Sequence, residues 1–150
     1  MTNQIVLTII WIVTGFTFYV NNSFIKYVPG NFQDNYLLVS ISDVLGVIIS
    51  GLVYQHIDNP RLLFFTFSAI SAIAGACFFF SAIGAEEDSA GLTMMMYISV
   101  NRAGIIANFL LLFMSHPNFF PTLFVATSMG ISNFFTRLVV IMAPLIAEVA

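Results

Sequence analysis

The sequence predicts an all-α integral membrane bundle of five spanning helices, and three observations carry that prediction. Of its 150 residues, 59% are hydrophobic and 7% are charged, whereas an ordinary soluble domain is about a quarter charged. Five apolar stretches follow one another, each near or above the roughly 20 residues a helix needs to cross ~30 Å of hydrocarbon. None shows the shorter alternating pattern of a barrel strand, which leaves helices as the spanning structure. This balance excludes a soluble enzyme, a nucleic-acid binder and a disordered segment. The four basic residues, Lys26, Arg61, Arg102 and Arg137, are too few for a phosphate-backbone footprint or a polybasic headgroup cluster. The expected surroundings are membrane lipid, with no nucleic acid.

The first stretch is Ile5–Ser23. No basic segment precedes it, and it is longer than a signal-peptide core, so it reads as a retained span. Lys26-Tyr27-Val28-Pro29-Gly30-Asn31 breaks the chain with a Pro-Gly turn signal. The second stretch, Asn35–Gln55, ends at Asp58-Asn59-Pro60. The third, Leu62–Ile83, ends at the acidic run Glu86-Glu87-Asp88. The fourth, Leu92–Met114, gives way to Ser115–Pro121, where two prolines predict a loop. Thr122–Val149 is the fifth. Connections this short imply antiparallel neighbours and a single domain over residues 1–150. One basic residue in each of the first two loops leaves the orientation undecided by the positive-inside rule.

Few residues offer chemistry of their own. His56 and His116 fall in separate loops and read as solvated, and Cys77 is alone in an apolar run. No spacing suggests a metal site, a cofactor or a catalytic set. Met94-Met95-Met96 reads as gap-filling core.

The informative residues are charges where charge is expensive. Asp43, Arg102 and Arg137 lie near the middle of the second, fourth and fifth stretches. An uncompensated charge at the centre of a lone helix costs roughly 2.5–3.5 kcal/mol on insertion scales. Such residues face a bundle interior or a watery cavity and find partners. Two readings follow: a buried charge network lining a substrate pathway, or an internal ion pair that only ties helices together. One carboxylate cannot neutralise two arginines, so a cation is left over for an anionic ligand or for another chain.

Helical periodicity places these residues on faces. At 100° per residue, Ala126, Gly130, Asn133, Thr136, Arg137 and Pro144 share a small, polar side of the fifth span. That side lines a cavity or packs closely on a neighbour. In the first span Trp11, Gly15, Phe18, Tyr19 and Asn22 share a face. Aromatic residues with a polar edge suit a small ligand, and they also suit plain packing or a membrane interface. Trp11, Tyr19, Asn133 and Arg137 are the candidate substrate-binding residues.

Two stretches resemble the C-terminal half of the organic-ion transporters of the major facilitator superfamily. In Phe18–Gln55, Phe18-Tyr19 resembles the family's aromatic pair in its seventh span. Gly30-Asn31 with Asn35 resembles its Gly-Asn-x-Tyr-x-Asn entry to the eighth, and Asp43 stands where that span carries a glutamate. In Asn101–Pro144, Arg102 and Gly104 sit at a Gly-Arg/Lys motif of the tenth span. Phe119-Phe120-Pro121-Thr122 resembles the Pro-Thr opening of the eleventh. Arg137 through Ala143-Pro144 resembles its Arg-x-Gly-Gly-(Ile/Leu)-x-Ala-Pro run.

The resemblance implies spans seven to eleven of a twelve-span fold. It puts the N-terminus, Gln55–Arg61 and Ser115–Pro121 on the cytosolic side, with the third span outside the cavity. Arg137 stands where the family's anion carriers are basic, which tilts the expected substrate toward small organic anions. Asp58 and Arg61 are what remains of the family's Asp-x-x-Gly-Arg-Arg gating loop. Gln55, Asn118 and Val125 stand where the family carries gating charges. Alternating access needs two halves, so a further transmembrane chain is expected to supply the other one. The eroded gate motivates a second expectation, a transporter-like structural subunit of a larger membrane complex. Plasma membrane and mitochondrial inner membrane are both compatible with the sequence.

Overall fold

The computed structural model describes residues 2–28, 30–57, 59–84 and 90–149. Among them there are helices and turns and no strand. In chain order the helices are α1 (Thr2–Phe24), α2 (Phe32–His56), α3 (Pro60–Gly84), α4 (Ala90–Phe119), α5 (Thr122–Val140) and α6 (Met142–Val149), with a 3-10 turn at Ile25–Tyr27 after α1. Five stretches are long and apolar enough to cross a membrane: Gln4–Tyr27, Phe32–His56, Pro60–Ser81, Gly91–Phe119 and Thr122–Ile146. The chain is thus an all-helical protein with five candidate spans. The acidic run Glu86-Glu87-Asp88 and the expected gating residue Asp58 lie outside the described residues.

Local chemistry sets most helix ends. Gly30 has φ of 119°, a left-handed conformation that glycine adopts without strain. Asn31 follows as the N-cap of α2, accepting from the Gln33 backbone N–H. Asn35 holds the turn by donating to the Val28 carbonyl at 3.3 Å. α3 opens on Pro60, where a missing N–H costs nothing, while Asn59 accepts from the Arg61 N–H at 3.2 Å.

Two helix ends differ from the sequence reading. The expected loop at Ser115–Pro121 is helical through Phe119, with Pro117 inside α4. Near a helix end a proline forfeits one backbone hydrogen bond, and the packing of this segment outweighs that loss. The expected fifth span is interrupted at Ile141, between α5 and α6. Pro144 explains the interruption: it has no N–H for the Val140 carbonyl, and its ring crowds that carbonyl.

α4 is the central helix. Within an 18-residue apolar window of its span 56% of the residues are buried, against 17–22% in the corresponding windows of the other four. α2, α3 and α1 pack around it, and α5 packs on α1. Close approach is built into Ala103-Gly104. A Cβ on Gly46 of α2 would lie 2.8 Å from the Ala103 carbonyl oxygen, and one on Gly104 would lie 3.1 Å from the Phe67 carbonyl oxygen of α3. Small residues thus let two helices touch α4 backbone to backbone from two sides. Ile25, Val28, Val39, Met94, Met95 and Ile98 form an apolar cluster at one end, and Leu7, Trp11 and Leu112 form one at the other. Of the three consecutive methionines, Met94 and Met95 are core, while Met96 faces outward.

Candidate functional site

The two mid-span arginines have different surroundings. Arg102 on α4 is buried. Its Nε donates to Asp43 Oδ1 at 3.1 Å and to Oδ2 at 3.3 Å, and its Nη2 donates to Oδ2 at 3.1 Å. Its Nη1 reaches Asn22 Oδ1 at 3.2 Å, and its guanidinium lies 4.2 Å from the centre of the Phe18 ring. The planar donor fork suits a carboxylate held through both oxygens. One arginine therefore ties α1, α2 and α4 together.

Arg137 on α5 is exposed. Its Nη1 donates to the Tyr19 hydroxyl at 2.8 Å, with the guanidinium 5.8 Å from that ring's centre. Among the described residues no carboxylate lies within ion-pair distance of it. The expected network of Asp43, Arg102 and Arg137 is thus a pair plus a separate cation. The physical reason is helix placement: Arg137 rides on α5, which packs on α1, while Asp43 rides on α2, which packs on α4.

Around Arg137 the structure forms an open crevice of about 260 Å³. Trp11, Tyr19, Asn133 and Arg137, singled out from the sequence, all line it. Phe18, Phe109 and Phe113 complete an aromatic wall, with Thr136 beside them. Phe18 and Tyr19 meet edge to face with centroids 5.4 Å apart, and Phe18 meets Phe109 in the same way at 5.8 Å. Trp11 is buried and packs edge-on against Phe113 at 4.8 Å and Phe109 at 6.4 Å. It forms the floor of the crevice, not its mouth. The sequence reading missed Phe109 and Phe113. Their spacing of four, one turn apart on α4, was legible, but it does not stand out in a helix that is apolar on most sides.

The polar side expected for the fifth span is rotated in the structure. The buried row is Ser128, Ser132, Thr136 and Val140, and it docks on α1. Ala126, Gly130 and Pro144 are exposed and are not among the residues lining the Arg137 crevice. Asn133 and Arg137 flank the buried row and face the crevice. Close docking explains the rotation. A Cβ on Gly15 would collide with the Thr136 methyl group, so the bare backbone of α1 receives the Ser/Thr row.

The three polar members of the row are hydrogen-bonded, Thr136 to the Ser132 carbonyl at 2.9 Å. Gln4 donates to the Ser128 carbonyl at 3.1 Å and to Ser132 Oγ at 3.2 Å, and Thr8 pairs with Ser132 at 3.0 Å. Ser128 donates to Gln4 Oε1 and pairs with His116 Nε2, the latter at 3.0 Å. His116, expected as a solvated loop residue, is fully buried on α4. It sits between the Trp11 edge, at 5.4 Å, and the Phe120 ring, stacked at 5.6 Å. Helix α4 continues past the expected loop, and that continuation buries it.

The remaining candidates lie apart. Arg61 is exposed at the start of α3, beside a separate crevice of about 300 Å³ that it shares with Leu7, Phe64 and Phe119. Asn118 donates to the Tyr54 hydroxyl at 3.1 Å, a neutral link between α4 and α2. Among the described residues no group of His, Cys, Asp and Glu is arranged to hold a metal ion. No family model matches the chain, and neither a curated protein nor a solved structure is similar to it.

Proposed function

We propose that this chain is the C-terminal half of a major facilitator-type transporter of small organic anions, with Arg137 as the anion-binding residue. The observation that carries this reading is the unequal partnering of the two arginines. Arg102 is neutralised by Asp43, whereas among the described residues Arg137 has only the Tyr19 hydroxyl, and it opens on a crevice. A guanidinium beside an aromatic wall, with an amide at Asn133, suits a carboxylate carried on a flat apolar body.

In this reading Arg137 and the Tyr19 hydroxyl hold the ligand's carboxylate, and Phe18, Phe109 and Phe113 cover its apolar part. Asp43 and Arg102 fix α1 and α2 to α4 and keep that wall in place. Alternating access requires a second half moving against this one about a central site. That half comes from a further transmembrane chain or from further sequence.

The test begins with extraction of the native protein in mild detergent and identification of its stable companions by mass spectrometry. The reading expects a companion of about six spans, or a longer form of this chain. It also expects the co-purified assembly, in liposomes, to take up benzoate. Arg137→Glu should abolish that uptake. Stoichiometric companions from a large multi-subunit complex, together with absent uptake, would assign the fold a scaffolding role and overturn the proposal.

A further inference from the structure

A second crevice, of about 350 Å³, opens on the opposite side of α1 from Arg137. α1 and α3 form its walls and α4 its floor. Its polar lining is Thr14 and Thr17 of α1, Ser68 and Ser71 of α3, and Asn101 and Asn108 of α4, and among the described residues none that lines it is charged. This is unusual company for the middle of a span. Asn101 and Asn108 lie seven residues apart, two turns on one face of α4, on either side of the span's midpoint.

The polar groups are only partly satisfied. Ser71 donates to Asn101 Oδ1 at 2.5 Å, and Asn108 Nδ2 donates to Ser68 Oγ at 3.1 Å. Asn101 Nδ2 finds no partner among the described residues. Asn108 is 94% buried, and its Oδ1 has no partner either. Turning the Asn108 amide over would let it accept from Ser68 and leave a donor free instead. In both orientations one polar atom of Asn108 is unpaired. An unpaired buried amide atom costs about 1–3 kcal/mol, and lipid chains cannot relieve it.

From this geometry we infer a binding site for a small neutral solute rich in hydroxyl groups, separate from the Arg137 crevice. A hydroxyl both donates and accepts, so one chemical group serves both the free Asn101 amide N–H and the Thr14 and Thr17 hydroxyls that line the crevice, whereas Asn108 Oδ1 is closed off behind them. The absence of lining charge selects against ions, because nothing would replace their hydration. The volume greatly exceeds that of one water, about 30 Å³, and lies at the low end of ligand pockets. The depth of Asn101 and Asn108 within the span puts the site beyond a lipid headgroup, so the solute is free.

Saturation-transfer NMR on the full chain in phosphatidylcholine nanodiscs tests this, with glycerol, erythritol and myo-inositol as probes. At least one polyol should receive saturation from the wild-type chain, and excess benzoate should not displace it. Asn101→Leu should weaken binding about tenfold, the equivalent of one hydrogen bond left unmade. Thr14→Val, on the opposite wall and without a part in the α3–α4 contacts, should also weaken it. Trp11 emission reports that each variant is folded. The inference is overturned if no polyol is saturated by the folded chain, or if, with excess benzoate occupying Arg137, acetate or tetramethylammonium is saturated as strongly. Unchanged binding in both variants would overturn it as well. Displacement by benzoate would place the probes at Arg137 and remove the second site, leaving the anion reading intact.

Discussion

Asp43 holds Arg102 through both carboxylate oxygens, each within 3.3 Å of the guanidinium Nε. The pair crosses from α2 to α4 inside the bundle, and the arginine is 5% exposed. Removing one partner of such a pair leaves an uncompensated charge, at a cost of about 3–5 kcal/mol. Asp43→Asn should therefore lower thermal stability in detergent sharply. Asp43→Leu combined with Arg102→Met should recover most of the loss, because a well-packed apolar pair often replaces a buried ion pair without penalty. Equal stability of the single variant and the wild type would show that the pair does not hold these helices.

Gly46 and Gly130 make opposite predictions. A methyl group at Gly46 meets the Ala103 carbonyl oxygen, a backbone atom that cannot rotate away. Gly46→Ala should destabilise by about 1–3 kcal/mol, the usual cost of overpacking. At Gly130 nothing lies within 4 Å of the added carbon. Gly130→Ala should be neutral or stabilising by up to about 1 kcal/mol, from helix propensity alone. Chemical denaturation of the two variants side by side separates these outcomes.

Gln4, Ser128 and His116 form one hydrogen-bonded chain across α1, α5 and α4. Ser128→Ala leaves both neighbours short of a partner and should cost about 1–3 kcal/mol. Gln4→Ala on top of it should cost less than it does alone, by the bond to Gln4 Oε1 that the two share, while its bonds to the Ser128 carbonyl and Ser132 are still lost in full. Additive losses would mean that the bonds act independently.

The spans were legible because bilayer thickness and helix rise leave their mark in composition and length. So was the partner problem of Asp43, Arg102 and Arg137, since the cost of burying charge follows from residue type. Grouping Trp11, Tyr19, Asn133 and Arg137 needed only helical periodicity on two helices. Periodicity failed at Ala126, Gly130 and Pro144, because a hydropathy pattern gives a helix's polar side more coarsely than its packing row. Gly15 fixed that row by admitting Thr136, and a contact between residues 121 positions apart leaves no local trace. His116 was misplaced for a related reason: Pro117 reads as a breaker, and only the Trp11 and Phe120 rings around the imidazole favour the continued helix.

Charge reversal at Arg137 should exchange the ligand preference of the crevice. Arg137→Glu puts a carboxylate beside Tyr19 and Asn133 in the same aromatic surroundings. The variant should lose affinity for benzoate by at least about tenfold, as expected for a lost hydrogen bond to a charged group. It should gain affinity for benzyltrimethylammonium, which the aromatic faces also favour. Equilibrium dialysis with the two labelled ligands measures both.

Trp11 gives the most direct readout of the central claim. It is the one tryptophan of the sequence, and it forms the floor of the Arg137 crevice. Its fluorescence in nanodiscs is to be titrated with benzoate, for the wild-type chain and for Arg137→Gln. The account predicts a saturable emission change in the wild type that is absent, or displaced to at least about tenfold higher concentration, in the variant. The same titration in both proteins would contradict it, because the anion would then be bound without the guanidinium.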